Sequence, residues 1–327
     1  MQIISEVSLQ KYLNKYKGLD LTKVYRFGDV VEEYADACLY AKYNKAYFGL
    51  ETLDRNLYGV EPQEVALFIS PPNIGKTALV QHIAKYNCLY NEMSQEKVIT
   101  WFSTETGAKH LLERELQGML NMHSWEVQEE FISHREDMIK ITKDRLKKFE
   151  NLRLIVGRIN IDKITQYNMA IADESGKEVG LTLIDYAQRI RGNKRSEYDN
   201  ISEIADKVGE TAIGMNIPLI LTSQTSRDNI RNDTIDMFSG KGSGELENCG
   251  QIVITMQKVK NEDLTIENPI VRTKWMEEEI YIHQMKVEKK KRGKYLKEPL
   301  IMVQDAKTLE LFEYEQYKRK VTKTEPF

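Results

Sequence analysis

The 327-residue sequence has little cysteine and no long apolar run, and each absence excludes a class of protein. The three cysteines, Cys38, Cys88 and Cys249, form no CxxC pair, which argues against a disulfide framework or a zinc knuckle and fits a reducing compartment. The N-terminus lacks a basic segment followed by an apolar core, and no run reaches membrane-spanning length, so neither a signal peptide nor a membrane partner is expected. The net charge of −3 lacks the global basic signature of nucleic-acid-binding proteins.

The 41% of hydrophobic residues is enough for a substantial core, in one large or two small domains. We expect a leader with a linker helix at residues 1–45, a main domain at 46–314, and a charged, disordered tail at 315–327. The leader contains apolar or small residues at helical spacing, namely Val31, Ala35, Cys38 and Ala41. That helix either folds back onto its own domain or is donated to a neighbouring subunit.

A strand, a turn and a helix are predicted around the apolar run from Val65 to Ile69. The turn has the form of a phosphate-binding loop, GxxxxGK(S/T), with Ser70 at the place of the first glycine. Lys76 would add charge at the β- and γ-phosphates, and the Thr77 hydroxyl would hold Mg²⁺. An ordinary glycine-capped turn is the alternative. The expected nucleotide-binding residues are Ser70, Pro71, Pro72, Asn73, Ile74, Gly75, Lys76, Thr77 and Ala78.

Polar residues end three further predicted strands. Glu105 follows the strand Val98 to Ser103, where an ATPase can place a base or a group that orients water. Asp185 ends an apolar strand, the pattern that sets a carboxylate beside Mg²⁺, and Gln224 is placed to sense a γ-phosphate. Each has a simpler interpretation: Glu105 as a helix-initiating acid, Gln224 as a strand-terminal side chain bonded to a loop, and Asp185 as the end of a strand of a kind that is frequent in α/β proteins. Residues 225–249 are polar and glycine-rich, which predicts a long mobile loop.

Five motifs in order resemble the motor domain of DnaB-type replicative helicases, a branch of the RecA-like ATPases, over residues 46–314. They are the phosphate loop with Pro72, FSTETGAKHLLERE, LTLIDYAQ, IPLILTSQTSR and GSGELEN. Lys290-Lys291-Arg292-Gly293 looks like the family's KxRxG stretch with one residue missing, so the choice among its three cations stays open. The short leader departs from the family, whose helicases usually carry an N-terminal helical or primase domain.

The resemblance implies an α/β fold of the RecA-like P-loop type, with a mostly parallel central sheet, flanking helices and C-terminal antiparallel strands. In it, the Gln224 strand lies between the phosphate-loop strand and the Asp185 strand. ATP or another NTP with Mg²⁺ would sit between subunits. The implied catalytic residues are Lys76, Glu105 and Gln224 on one side, with Arg292 or Lys290 reaching across from the next subunit. Thr77 and Asp185 are the implied metal-side residues.

The implied partners are single-stranded DNA and further copies of the chain in a hexameric ring, with a primase or helicase loader in addition, in the cytoplasm of a bacterial or phage-infected cell. The candidate contacts to nucleic-acid phosphates are Arg191, Lys194, Arg195, Arg227, Arg231 and Lys241. Solvated loop charge is the alternative for these side chains. Two other functions stay open: a nucleotide-switched ATPase, such as a recombination mediator, clock-like or phage-defence component, and a nucleic-acid packaging motor that unwinds nothing.

Overall fold

The computed structural model describes residues 26–194, 196–225, 243–259 and 266–323. The chain divides into two compact units, residues 1–43 and 44–327. The described part of the first unit is a short 3₁₀ helix followed by helix α1, Val31–Asn44. Glu32 and Glu33 lie in the first turn of α1, where negative charge favours a helix. The helix expected in the leader is therefore present, and its role stays a prediction.

The second unit is built on one sheet with helices around it. The strands that the described residues form are β1 Val65–Ser70, β2 Val98–Ser103, β3 Leu152–Val156, β4 Val179–Asp185, β5 Leu219–Gln224, β6 Ile252–Lys258, β7 Ile280–Lys289, β8 Leu300–Asp305 and β9 Leu311–Glu313. The helices are α2 Glu51–Leu57, α3 Lys76–Tyr90, α4 Ala108–Leu120, α5 Ser124–Ser133, α6 Arg135–Leu146, α7 Lys163–Ser175, α8 Glu197–Met215, α9 Ser243–Cys249, α10 Pro269–Met276 and α11 Tyr314–Lys323. Within the described ranges, no helix is both long and apolar enough to cross a membrane.

The sheet order is β3-β2-β4-β5-β1-β6-β7-β8-β9. The pairs from β3 to β6 are parallel, and those from β6 to β9 are antiparallel. Strand β5 lies between β4 and β1, because Leu221 is in register with Ile184 on one side and Leu67 on the other. The expected mostly parallel sheet with an antiparallel C-terminal part is confirmed, and so is the position of the Gln224 strand.

Both faces of β1, β2, β4 and β5 are covered, which is why their sequences are largely apolar runs, whereas the edge strand β3 is partly exposed. On one face, Leu79 and Ile83 of α3 pack into the same core as Leu53 of α2. On the other face, Ile204 and Val208 of α8 pack against the sheet. The carboxyl ends of β1, β2, β4 and β5 lie together at one edge of the sheet. Because helices cover the faces of these strands, this edge is where we expect a ligand to bind.

The C-terminal residues correct one expectation. Instead of a disordered tail, residues 314–323 form helix α11, and Tyr317 is only 2% exposed. Tyr317 and Val321 are four residues apart and so share one helix face, which packs against Ile282 and Val303 of the antiparallel strands. Between them, Arg319 and Lys320 are exposed, and Lys320 Nζ lies 4.3 Å from the centre of the Phe312 ring. Residues 324–327 lie outside the described part of the chain.

The expected loop at 225–249 is corrected in its last part. Residues 243–249 form helix α9, and its Leu246 is buried in the core beneath β1 together with Val65 and Leu67. The polar, glycine-rich composition of this segment does not indicate a helix. Packing of the buried Leu246 against the sheet stabilises one at the end of the segment. Residues 226–242 lie outside the described part.

Candidate nucleotide site

The turn from β1 into α3 has two residues with positive φ, Asn73 at 60° and Gly75 at 77°. Gly75 is the residue that precedes α3, and it adopts this left-handed conformation without the strain that a side chain would add. A Cβ atom on Gly75 would lie 2.8 Å from Oε1 of Gln304, a residue of β8. The positive φ therefore favours glycine here, whereas the close contact is with the end of a flexible side chain that can move aside. Ser70, at the position of the missing consensus glycine, is fully buried.

Lys76 is buried at the first position of α3, and its Nζ donates to the carbonyl oxygen of Pro71 at 2.7 Å. Burial lowers the pKa of Lys76 to about 8, against the opposing effects of Asp185 and Glu105, whose negative charges raise it. The amine therefore lies within the loop at a helix N-terminus. A phosphate placed there would favour its protonated form and receive its charge.

Asp185 is buried at the end of β4, with both carboxylate oxygens fixed by hydroxyl groups. Thr77 Oγ1 donates to Oδ2 at 2.7 Å, and Thr222 Oγ1 of β5 donates to Oδ1 at 2.8 Å. Burial raises the pKa of Asp185, and the bonds from Thr77 and Thr222 and the charge of Lys76 oppose that rise. A hydroxyl beside one carboxylate is a donor set that fits Mg²⁺ shared with phosphate oxygens.

The described residues contain no cluster of three or more His, Cys, Asp or Glu that could hold a metal ion by themselves. This agrees with a site in which the protein supplies one hydroxyl and one carboxylate, and substrate phosphates with water supply the other ligands. Thr77 and Asp185 are thus brought together as expected, and their donor set fits the implied metal.

Glu105 lies just beyond the end of β2. The preceding Thr104 fixes the position, because its backbone N–H and its Oγ1 donate to the carbonyl oxygen of Asp185 at 2.8 and 2.9 Å. The Glu105 side chain is half exposed, and its Oε1 accepts a bond from Arg189 Nη2 at 3.2 Å. The candidate base therefore lies at the same sheet edge as Lys76 and Asp185, and it is paired with a cation that the motifs did not indicate.

Gln224 ends β5 and is held through its backbone by Gln188. The Gln224 N–H donates to Gln188 Oε1 at 3.1 Å, and Gln188 Nε2 donates to Gln224 O at 3.2 Å and to Ser223 Oγ at 2.8 Å. Gln188 belongs to a short 3₁₀ helix, Ala187–Arg189, directly after β4. The ends of β4 and β5 are therefore joined by one amide side chain.

The basic turn after β7 is bound within its own chain. Arg292 Nη2 donates to Oε2 of the buried Glu64 at 2.6 Å, and Nη1 lies 3.0 Å from Glu61 Oε2. Lys290 Nζ donates to the carbonyl oxygen of Gly293 at 2.7 Å. Lys291 has the most exposed side chain of the three cations, at 63%, with Glu64 at 3.5 Å. Both candidate finger residues, Arg292 and Lys290, thus have partners in cis.

Two candidate nucleic-acid contacts, Arg191 and Lys194, are exposed in the loop before α8. Backbone bonds between Arg191 and residues 159 and 161 hold the start of this loop. The intervening Asn193 bonds to the carboxylates of Asp162 and Glu203, so acidic groups lie beside the loop. The other four candidates, Arg195, Arg227, Arg231 and Lys241, lie outside the described residues.

Sequence reasoning missed Gln304, Arg189, Gln188 and Glu64 as neighbours of the site. Gln188 is the last residue of the LTLIDYAQ motif and Arg189 directly follows it, so their proximity to the sheet edge was available from the order of the chain. Glu64 and Gln304 gave no local signal, because their contacts, to Arg292 and to the Gly75 turn, join distant parts of the sequence.

Comparison with sequences of known proteins identifies the family. The family model described as DnaB-like helicase C terminal domain matches residues 47–320. Over 229 residues, the chain is 29% identical to the replicative DNA helicase DnaC of Bacillus subtilis (strain 168), which covers 67% of this chain and 48% of that protein. Identity to the replicative DNA helicase DnaB of Rickettsia prowazekii (strain Madrid E) is 28% over 217 residues, or 63% of this chain and 44% of that protein. The chain thus spans about half the length of these relatives.

Solved structures share the fold. A DnaB-like replicative helicase, solved with regard to its interactions with primase, aligns with a TM-score of 0.68 at 18% identity, over 94% of this chain and 70% of that chain. A second structure, of an ATPase domain, aligns with a TM-score of 0.68 at 18% identity, over 89% of this chain and 99% of that chain. The KaiC-like protein PH0186 of Pyrococcus horikoshii OT3 aligns with a TM-score of 0.53 at 12% identity, over 83% of this chain and 98% of that chain. Because the family model matches residues 47–320 of the 327, the chain belongs to the family of DnaB-like helicase C-terminal domains.

Proposed function

We propose that this chain is the motor of a DnaB-type DNA helicase, hydrolysing ATP with Mg²⁺ to move along single-stranded DNA. One observation carries the nucleotide site: Thr77 Oγ1 lies 2.7 Å from Asp185 Oδ2, beside the buried Lys76. The hydroxyl, the carboxylate and the amine are the groups that hold the metal and the phosphates of a bound nucleoside triphosphate. Membership of the family supports the choice of reaction.

In this proposal each residue has one task. Lys76 binds the β- and γ-phosphate oxygens, and Thr77 and Asp185 hold Mg²⁺, which when bound neutralises phosphate charge. Thr222 keeps the Asp185 carboxylate oriented towards that position. Because both Asp185 oxygens are already fixed by hydroxyl groups, little rearrangement is needed as charge develops on the phosphates.

Glu105 accepts a hydrogen bond from the attacking water and orients it. The water oxygen forms the new bond to the γ-phosphorus while the bond to the bridging oxygen of ADP breaks, and the water proton leaves through Glu105 or phosphate. Gln224 lies at the end of the strand between β1 and β4, where it can respond to the γ-phosphate. Gln188 then links that response to the 3₁₀ helix beyond β4.

The site is completed by a cation from the basic turn of a neighbouring copy in a hexameric ring. Arg292 and Lys290 are the proposed residues, and the more exposed Lys291 is the third candidate. Single-stranded DNA would pass through the ring, contacted by Arg191 and Lys194 and by the candidates at 195, 227, 231 and 241. A primase or loader is proposed as a further partner, as in the DnaB-like helicase solved with regard to its interactions with primase.

The test compares ATP hydrolysis with and without single-stranded DNA, and strand displacement on a forked duplex. Lys76→Ala should lower hydrolysis by at least about 10², since a positioned charge at the phosphates is lost. Lys163→Ala is the matched control, because Lys163 also stands at the first position of a helix but is exposed and bonds only locally to Gln166. Stimulated hydrolysis with no strand displacement would favour a packaging motor, and hydrolysis that DNA leaves unchanged would favour a nucleotide-switched protein.

A further inference from the structure

The 3₁₀ helix Ala187–Arg189 joins the candidate base to the loop of candidate nucleic-acid contacts. Arg189 donates from Nη2 to Glu105 Oε1 at 3.2 Å and from Nε to the Tyr186 hydroxyl at 3.0 Å. Within the described residues, the bond to Arg189 is the one ion pair that Glu105 makes. Arg191, two residues further on, is exposed and begins the nucleic-acid loop. This short segment therefore contacts the candidate base at one residue and carries a candidate nucleic-acid contact two residues later.

The Arg189–Glu105 pair limits what the carboxylate can do. An oxygen that accepts a charge-assisted bond from a guanidinium is less available to orient a water molecule or accept its proton. The carboxylate is also drawn towards the 3₁₀ helix, on the side of the candidate nucleic-acid loop. Paired in this way, Glu105 is a poorer base than a carboxylate that faces the substrate alone.

The same pair is easily exchanged. The side chains of Arg189 and Glu105 are 38% and 46% exposed, and exposed ion pairs contribute only about 0.2–1 kcal/mol. A guanidinium binds phosphate through two parallel N–H bonds, which suits it to a polyanion that brings many phosphates to one surface. The hydroxyl of Tyr186 holds the Arg189 Nε in place, so the guanidinium can change its anionic partner without leaving the loop.

We propose that Arg189 is a positioning residue that keeps Glu105 paired in the absence of nucleic acid and releases it when a single-stranded DNA phosphate takes the guanidinium. The inference rests on the proposed function, in which Glu105 is the base. Nucleic acid would then stimulate hydrolysis by changing the partner of one side chain. Among the described residues, the side-chain bonds of Arg189 are to Glu105 and Tyr186, so a change at Arg189 should act on the rate of hydrolysis and leave the KM for ATP unchanged.

Arg189→Gln removes the charge and keeps a side chain that can bond to Tyr186. Its basal kcat should rise about fivefold, with an unchanged KM for ATP. This factor corresponds to about 1 kcal/mol, the upper end of the free energy that an exposed ion pair contributes. The DNA-stimulated rate should stay the same, so the stimulation ratio falls about fivefold. Arg189→Lys keeps the charge but lacks the two parallel N–H bonds and the Nε bond to Tyr186, so it should restore only part of the ratio. Arg153→Gln is the matched control, because Arg153 is similarly exposed and lies 3.8 Å from Glu174.

A parallel fall of the basal and stimulated rates in Arg189→Gln would overturn the proposal, and so would an unchanged stimulation ratio. In a Glu105→Gln background the substitution should have no effect on basal kcat; a rise there would show that Arg189 does not act through Glu105. If wild-type hydrolysis does not respond to single-stranded DNA, the proposed function and the phosphate exchange are both overturned. The basal kcat of Arg189→Gln then still decides whether Arg189 restrains Glu105.

Discussion

At the scale of single residues, Arg292 has two candidate tasks, which a single and a double variant together separate. Arg292→Ala removes the candidate cation for a neighbouring site and also leaves Glu64, which is 3% exposed at its side chain, without its strongest partner. We expect turnover to fall by on the order of 10³, the lower end of an arginine finger's effect, while nucleotide binding is kept. We also expect the free energy of unfolding to fall by roughly 1–3 kcal/mol, because a buried carboxylate loses two charge-assisted hydrogen bonds and keeps the one from the Glu61 backbone N–H.

The double variant Arg292→Ala with Glu64→Gln tells the two tasks apart, because the neutral amide no longer requires a cation. Stability measured by urea unfolding should recover, whereas turnover should not. Recovery of both would mean that Arg292 acts only within its own chain, and the trans role would pass to Lys290 or Lys291. Normal hydrolysis in the single variant would contradict the assignment of Arg292 outright.

Residues in a local pattern could be predicted, and residues that meet through the fold could not. Gly75, Lys76 and Thr77 follow one strand and open one helix, so the chemistry of the phosphate loop was visible in the sequence. Asp185 could be placed opposite Thr77 because parallel strands end at one edge. The ion pair of Glu64 with Arg292 depends instead on how the end of β7 meets the turn before β1, which no local pattern encodes.

At the scale of elements, strand β7 carries a histidine whose titration should be visible in stability. His283 is buried between Lys258 of β6 and Gln304 of β8, whose Oε1 lies 3.4 Å from Nε2. Burial lowers its pKa to about 4, with a smaller lowering effect from Lys258. In the unfolded chain the pKa would be near 6.5, so the unfolded state binds a proton that the folded state does not, and stability falls as the pH drops from about 6.5 to 4.

The measurable quantity is the difference in free energy of unfolding between wild type and His283→Gln across this pH window. The wild-type disadvantage should grow by up to about 3 kcal/mol towards pH 4. Asp54 acts in the opposite direction, since burial raises its pKa to about 6 and its contribution is lost as pH rises, but it cancels in the difference. His110→Gln, an exposed position on α4, controls for the loss of an imidazole. A flat difference would contradict the expected titration.

The order of the strands near the site could be predicted from the family resemblance, and the helix at the end of the chain could not be predicted. Apolar runs that end in Ser70, Asp185 and Gln224 identify parallel strands with buried faces. In α11, by contrast, the many charged residues concealed a two-residue apolar face, Tyr317 and Val321, because such a face is stabilised only by the antiparallel strands it covers. Amphipathic spacing carried the relevant signal, and average composition did not.

At the scale of the whole molecule, the proposed sharing of sites between copies predicts complementation. Lys76→Ala and Arg292→Ala copies should each be inactive alone, because one lacks the phosphate-binding amine and the other the cation it offers to its neighbour. Mixed rings contain contacts at which an intact Lys76 meets an intact Arg292, and these should restore part of the ATP hydrolysis. The measurement is hydrolysis after mixing, with particle mass followed in the presence of nucleotide.

Mixing two copies of the same variant is the control and should restore nothing. No recovery in the mixed sample, in particles shown by mass to contain both variants, would contradict a shared site. A wild-type chain that stays monomeric with nucleotide and DNA and still hydrolyses ATP rapidly would contradict the ring itself.

The contact of Gln304 with the Gly75 turn has a consequence for any shortened version of this protein. The amide that closes over the turn comes from β8, near the opposite terminus, and β8 is held in turn by β9 and α11. A fragment that ended between Gly293 and β8 would keep every motif of the sequence yet lose the Gln304 side chain that lies against the Gly75 turn. The part of the chain that packs against the phosphate-loop turn is therefore longer than the span of the motifs, and a truncation from the C-terminal end removes Gln304 before it removes any motif.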